Sequence, residues 1–185
     1  MHATDLISAD IVPLKPADPV SLALERMEDL KLAHLPVVEG GRLVGLLSER
    51  ALQENSNSSA PVSDAMDTVE LPYVRGPQHV YDVMKLLVER GLSMAPVLDV
   101  QGGYLGAVNE HTALLRLSEV TNVREPGSVL VLEINAIDYS LQEIARIVEG
   151  NGAKILSVYC HTLPDSTRME VVLKINREDI SDVLR

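Results

Sequence analysis

The sequence predicts an α/β (α+β) chain: two equivalent βαββα units forming a pair, then a ferredoxin-like βαββα(β) unit that lacks its last strand. Three observations predict it. Pro36-Val37-Val38-Glu39 recurs as Pro96-Val97-Leu98-Asp99, 60 residues later, and self-similarity over a whole segment marks a repeated structural unit. A polar stretch, Asn55-Ser56-Asn57-Ser58-Ser59-Ala60-Pro61, separates the copies as a linker. Beyond Thr121–Ser128, an irregular segment holding Pro126-Gly127, the hydrophobic pattern changes. The units are expected over residues 5–55, 61–118 and 128–185.

Each copy opens on a short extended piece, Ile11–Leu14 or Leu71–Val74. Val20, Ala23, Leu24 and Met27 match Val80, Val83, Met84 and Leu87. Their spacing of i, i+3, i+4 and i+7 gives a helix one buried face. Asp18 is the expected N-cap of the first helix, with Pro19 at its first position. Gly91 is the expected stop of the second. Two short apolar strands follow in each copy, joined by turns at Gly40-Gly41 and Gly102-Gly103. Leu43-Val44-Gly45 matches Tyr104-Leu105-Gly106, one residue later because the second turn is longer. A closing helix starts at Ser48 or Asn109.

In the third unit Val129–Ile134 reads as an apolar strand. Ser140 and Glu143 form a capping-box pair, and Tyr139 is placed to staple onto Ile144. The helix Leu141–Glu149 is expected to bury Leu141, Ile144, Ala145 and Val148 and to end at Gly150. Lys154–Thr162 is strand-like, and Met169, Val171, Leu173 and Ile175 alternate as a half-buried strand does. Asn176 is expected to cap a last helix carrying Ile180, Val183 and Leu184. A βαββαβ unit needs one more strand. That strand is expected to lie beyond the chain's end or to come from a partner chain.

Charge narrows the function classes. The 185 residues carry a net charge of −11. Such a field repels nucleic-acid backbones and anionic membranes, and no basic run offsets it. Phe and Trp are absent, so few aromatic platforms exist for stacking a base. A lone cysteine, Cys160, forms no intrachain disulfide and fits a reducing compartment. Met1–Asp10 has no basic segment followed by an apolar run, so no signal peptide is expected. No segment is long and apolar enough to span a bilayer. The expected location is cytoplasmic.

Motifs for catalysis are missing. Cys160 and His161 are adjacent, and neighbours on a strand point to opposite faces, which rules out a nucleophile–base pair. The five histidines lack metal-ligand spacing. No Gly-rich phosphate loop is present. No enzyme, metal site or required cofactor is expected.

Leu35-Pro36-Val37-Val38 with Leu43-Val44-Gly45-Leu46-Leu47-Ser48-Glu49-Arg50, and Ala95-Pro96-Val97-Leu98 with Leu105-Gly106-Ala107-Val108-Asn109-Glu110, carry a resemblance. The paired units resemble CBS domains, which occur in tandem as a Bateman module. The element order of the tail resembles an ACT domain, and the whole is similar to acetoin-utilization-type CBS-ACT proteins. The resemblance implies a regulatory, small-molecule-sensing protein and a homodimer formed through the CBS pairs. It implies clefts that take an adenosyl effector, such as an adenine nucleotide or S-adenosylmethionine, and an ACT interface that takes an amino acid.

By the same resemblance the cleft candidates are Ile11, His34, Leu35, Val37, Ser48 and Ala51, with Leu71, Met94, Ala95, Val97, Asn109 and Thr112 in the second copy. Ser48 and Asn109 begin helices, where free N–H groups suit a phosphate or carboxylate, and both also serve as N-caps. The family places a ribose-binding carboxylate three residues later, and here those positions hold Ala51 and Thr112. Charge-assisted hydrogen bonds contribute about 1.5–3 kcal/mol each, so their loss weakens a nucleotide. Arg50 is expected on a solvated helix face. The ACT loop candidates are Asn135, Ile137, Asp138 and Tyr139, without the family's Asp-x-Pro-Gly turn. The alternative is a structural, dimerising module with degenerate clefts.

Overall fold

The computed structural model describes residues 1–54 and 57–181. It divides into two compact units, Met1–Arg116 and Leu117–Arg185.

The first unit holds both repeats. Helix α1 (Val20–Leu30) precedes the antiparallel hairpin β1 (His34–Glu39) and β2 (Arg42–Ser48), and α2 (Glu49–Glu54) closes the copy. The second copy repeats the order with β3 (Val74–Arg75), α3 (Val80–Arg90), β4 (Met94–Leu98), β5 (Tyr104–Asn109) and α4 (Glu110–Val120). β3 adds to β4 in parallel. In the first copy the expected strand Ile11–Leu14 shrinks to a single parallel bridge, Leu14 to Val37.

The helix faces fall where their spacing requires. Val20, Ala23 and Met27 are buried on α1, and Val80, Val83 and Leu87 on α3. Leu24 and Met84 pack half-buried against the same core. Both helices end in a left-handed residue, Lys31 at φ 55° and Gly91 at φ 60°. The start of α1 differs from expectation by one residue: Pro19 is the N-cap and Val20 the first helical residue. Asp18 is diverted to a turn, where its Oδ2 accepts the Lys15 N–H at 2.8 Å.

The second unit is a three-stranded antiparallel sheet in the order β6 (Val129–Asn135), β8 (Arg168–Ile175), β7 (Ile155–Thr162). Helix α5 (Leu141–Gly150) covers one face. Leu130, Val148, Val171, Leu173 and Ile175 form its core, with Ile144 and Tyr139 packed against them. This strand order is that of a ferredoxin-like βαββ unit. Ser140 caps α5 by accepting the Glu143 N–H at 3.3 Å. The reciprocal half of the capping box is not made, because Arg146 takes the Glu143 carboxylate at 2.6 Å. Leu141 lies at the helix entry and is more exposed than its spacing predicts, at 41%.

The expected last helix does not begin at Asn176. Residues 176–181 are not helical. Asn176 Oδ1 instead accepts the Lys154 N–H at 2.7 Å, tying the end of β8 to the start of β7. Val183 and Leu184 lie outside the described residues, as do Asn55 and Ser56 of the linker.

Candidate functional site

A cleft of about 400 Å³ lies within the first unit and draws its walls from both repeats. That volume suits a small organic ligand. The first repeat supplies His34 from β1, Leu46, Leu47 and Ser48 from β2, and Ala51 from α2. The start of the second repeat, ahead of α3, supplies Ala65, Asp67, Val69, Glu70 and Pro72. The second repeat supplies Arg90 at the end of α3, and Leu92.

Local hydrogen bonds place these side chains. Asp67 docks on the outer edge of β2, with paired bonds to Leu46 of 2.9 and 2.8 Å. Its Oδ1 accepts the Val69 N–H at 2.9 Å, which turns the chain toward Glu70. Glu70 takes the left-handed conformation, φ 49°. Ser48 Oγ accepts the Ala51 N–H at 3.2 Å, so its hydroxyl starts α2 and also lines the cleft.

His34 is fixed across the two repeats. Ser93 Oγ accepts the N–H groups of Ala33 and His34, each at 3.0 Å. In return the Ser93 N–H donates to His34 Nδ1 at 3.2 Å. A ring nitrogen that accepts carries no proton, so the neutral imidazole bears its hydrogen on Nε2. Burial holds the His34 pKa below its ordinary value of 6.5, against the opposing charge of Glu110. Protonation would set an N–H on Nδ1 facing the Ser93 N–H.

A stability consequence follows. With a folded pKa below 6.5, the unfolded chain takes up the His34 proton first as pH falls. The His34 contribution is whole above about pH 6.5 and is lost as pH drops through the folded pKa. His34→Met installs the residue found at the matching position of the second copy, Met94. This variant is expected to lose less stability than the parent between about pH 7.5 and about pH 5, read from urea midpoints. Equal losses would exclude His34 as the titrating group.

The sequence candidates separate by burial and place. His34, Ser48 and Ala51 line the cleft. Leu35, Val37, Met94, Ala95 and Val97 are fully buried and Ile11 is 4% exposed, so these six are core. Leu71 packs half-buried on that core, between the cleft residues Glu70 and Pro72. Asn109 and Thr112 mirror Ser48 and Ala51: Asn109 Oδ1 accepts the Thr112 N–H at 2.8 Å. Arg50 is solvated beside Glu54, at 3.8 Å.

The charged cleft residues missed by motif reading are Asp67, Glu70 and Arg90. The one available signal was a contrast between copies, because Ser8 and Leu30 stand where the second copy has Asp67 and Arg90.

The loop candidates of the second unit do not converge. Asn135 Nδ2 donates to Asp138 at 3.1 Å, and both are exposed. Ile137 is 93% exposed. Tyr139 turns inward against the core and hydrogen-bonds Cys160, which pushes its pKa up. Among the described residues no group of three or more His, Cys, Asp or Glu side chains is placed to hold a metal ion. No helix of the described residues is long and apolar enough to cross a membrane.

Comparison with known proteins supports the architecture. The CBS domain model matches residues 3–56 and 61–119. A CBS domain pair/ACT domain protein from Thermotoga maritima is 20% identical, with a TM-score of 0.57 over 64% of this chain and 98% of that one. A protein assigned to acetoin utilization from Vibrio cholerae is 21% identical, with a TM-score of 0.57 over 68% of this chain and 98% of that one. CBSX2, solved in complex with AMP, is 23% identical, with a TM-score of 0.56 over 64% of this chain and 97% of that one. Among curated proteins, inosine-5'-monophosphate dehydrogenase of Korarchaeum cryptofilum is 27% identical over 125 residues, 67% of this chain and 26% of that protein. The chain spans between 26% and 36% of the length of the first three such dehydrogenases it matches.

Proposed function

The chain belongs to the CBS-domain family, and on that premise we propose a non-catalytic sensor that binds an adenosyl-type effector in the cleft beside Ser48. The observation that carries this reading is the cleft's double ownership. Its walls come from both repeats, so a bound ligand responds to their mutual arrangement. A ligand shifts such an arrangement only by its differential affinity for two states. The AMP found in CBSX2 supports the ligand class. In this role His34 offers its Nε2–H, Ser48 its hydroxyl, and Arg90 a cation.

The domains run over residues 5–55, 61–118 and 128–185, the last an ACT-like unit and a second place for an amino-acid effector. The protein acts in the cytoplasm, as a regulator rather than an enzyme, without nucleic acid or membrane. It works as a homodimer through its CBS pairs. Tyr81 and Val88 support this, being 58% and 81% exposed on α3 where the matching α1 positions hold Ser21 and Glu28. Val88→Glu is expected to convert the dimer to monomer in sedimentation equilibrium; an unchanged dimer would place the interface elsewhere.

The alternative of a purely structural, dimerising module draws on Ala51 and Thr112, which supply no carboxylate. Calorimetry and thermal shift of the full chain with AMP, ATP, S-adenosylmethionine and amino acids separate the two. A ligand at 100 times its Kd stabilises the fold by about 2.7 kcal/mol. No heat and no shift with any adenosyl compound would sink the sensor reading.

A further inference from the structure

The two repeats offer an internal control for the cleft. Ile7 packs against Gly106 as Met66 packs against Gly45. The Ser8 N–H bonds Ala107 O as the Asp67 N–H bonds Leu46 O. Leu14 bridges Val37 as Val74 bridges Val97. These contacts align Leu6–Leu14 with Ala65–Val74, the second segment being one residue longer. Glu70, in its left-handed conformation, sits in this lengthened stretch.

On this alignment three of the four ionisable side chains of the described cleft lack ionisable counterparts. His34 matches Met94, Asp67 matches Ser8 and Arg90 matches Leu30, while Glu70 falls in the lengthened stretch, where the first copy carries Asp10. The imidazole, the guanidinium and the Asp67 carboxylate of the cleft therefore lie on one side of the pseudo-dyad.

We propose that the CBS pair of each chain has one adenosyl site, the cleft beside Ser48, and that Asp67 and Glu70 make it select a nucleoside with an uncharged or cationic tail over a polyphosphate. The inference rests on the adenosyl reading above. Two carboxylates and one guanidinium are on residues that line it, and the His34 ring is neutral. Carboxylates only accept hydrogen bonds, so they pair with hydroxyl, amino or onium groups and repel phosphate oxygens. The chain's net charge of −11 adds to that repulsion. A triphosphate would have one arginine against two like-charged neighbours.

The test is calorimetric titration of the full chain with adenosine, S-adenosylmethionine and ATP. One site per chain is expected, with S-adenosylmethionine at least about tenfold tighter than ATP. Asp67→Ser with Glu70→Gln is expected to weaken S-adenosylmethionine by about tenfold or more and to narrow its lead over ATP. Both side chains are exposed, so an unchanged melting curve verifies the fold of the double variant. Arg90→Leu is expected to widen the discrimination against ATP. Tightest binding of ATP, two equivalent sites, or a double variant with unaltered affinities would overturn this inference and leave the adenosyl reading standing. Silence with all three compounds would overturn both.

Discussion

Leu35→Ala is expected to remove about 2–5 kcal/mol of stability from the CBS pair. Leu35 is fully buried on β1, opposite Leu47 on β2, which is also fully buried. Both side chains belong to one contiguous core that spans the two repeats. Truncation removes the transfer free energy of the lost atoms and leaves a cavity in a close-packed interior. Urea unfolding is expected to show a lower midpoint with an unchanged slope, the signature of altered stability rather than altered denatured-state compactness. The same substitution separates two roles that sequence reasoning assigned to one residue. A ligand contact on the cleft surface would lower affinity and leave the midpoint nearly unmoved. A loss below about 1 kcal/mol, joined to weaker binding, would return Leu35 to the site.

Sequence and structure agree best where one periodicity governs one element. The matched positions of α1 and α3 are legible because a helix that packs on a core buries i, i+3, i+4 and i+7. The strands are legible because Gly pairs mark their turns. Agreement fails at ends, where a local side chain competes with the expected cap. Asp18 prefers the Lys15 N–H, and Asn176 prefers the Lys154 N–H. Neither competition shows in a periodic pattern, since both depend on how the chain turns.

The cleft was half legible for a related reason. Ser48 and Ala51 lie within the self-similar unit, so the repeat points to them. Asp67 and Glu70 come from the start of the second copy, where the two copies differ in length and the shared motif does not reach. Arg90 sits where the pattern requires only an exposed residue, so its charge carries no structural signal. Leu35, Val37, Met94, Ala95 and Val97 belong to an apolar strand motif offered as ligand contact, and their side chains fill the core. Differences between repeats therefore carry more information about the site than their similarities do.

Gly127→Ala is expected to unfold the C-terminal unit locally while the CBS pair keeps its stability. Gly127 has φ +133°, a conformation L side chains rarely adopt. A Cβ there would collide with the carbonyl of Ile175, which is backbone and cannot swing aside. The neighbouring contacts leave little room to relax. The Ser128 N–H bonds Arg177 O at 2.9 Å, the Ile175 N–H bonds Ser128 O at 3.0 Å, and Lys174 Nζ reaches Gly127 O at 2.9 Å. The strained backbone alone costs about 1–3 kcal/mol, and moving the end of β8 would break the pairing of Val129 with Lys174. That unit has a small core of its own, Leu130, Val148, Ala153, Val171, Leu173 and Ile175, so it has little stability in reserve. Hydrogen exchange is expected to show lost protection on β6 and β8, with β1, β2, β4 and β5 unchanged. Uniform loss across both units would mean that they unfold as one cooperative body; unchanged protection of β6 and β8 would mean that the Gly127 turn tolerates a side chain.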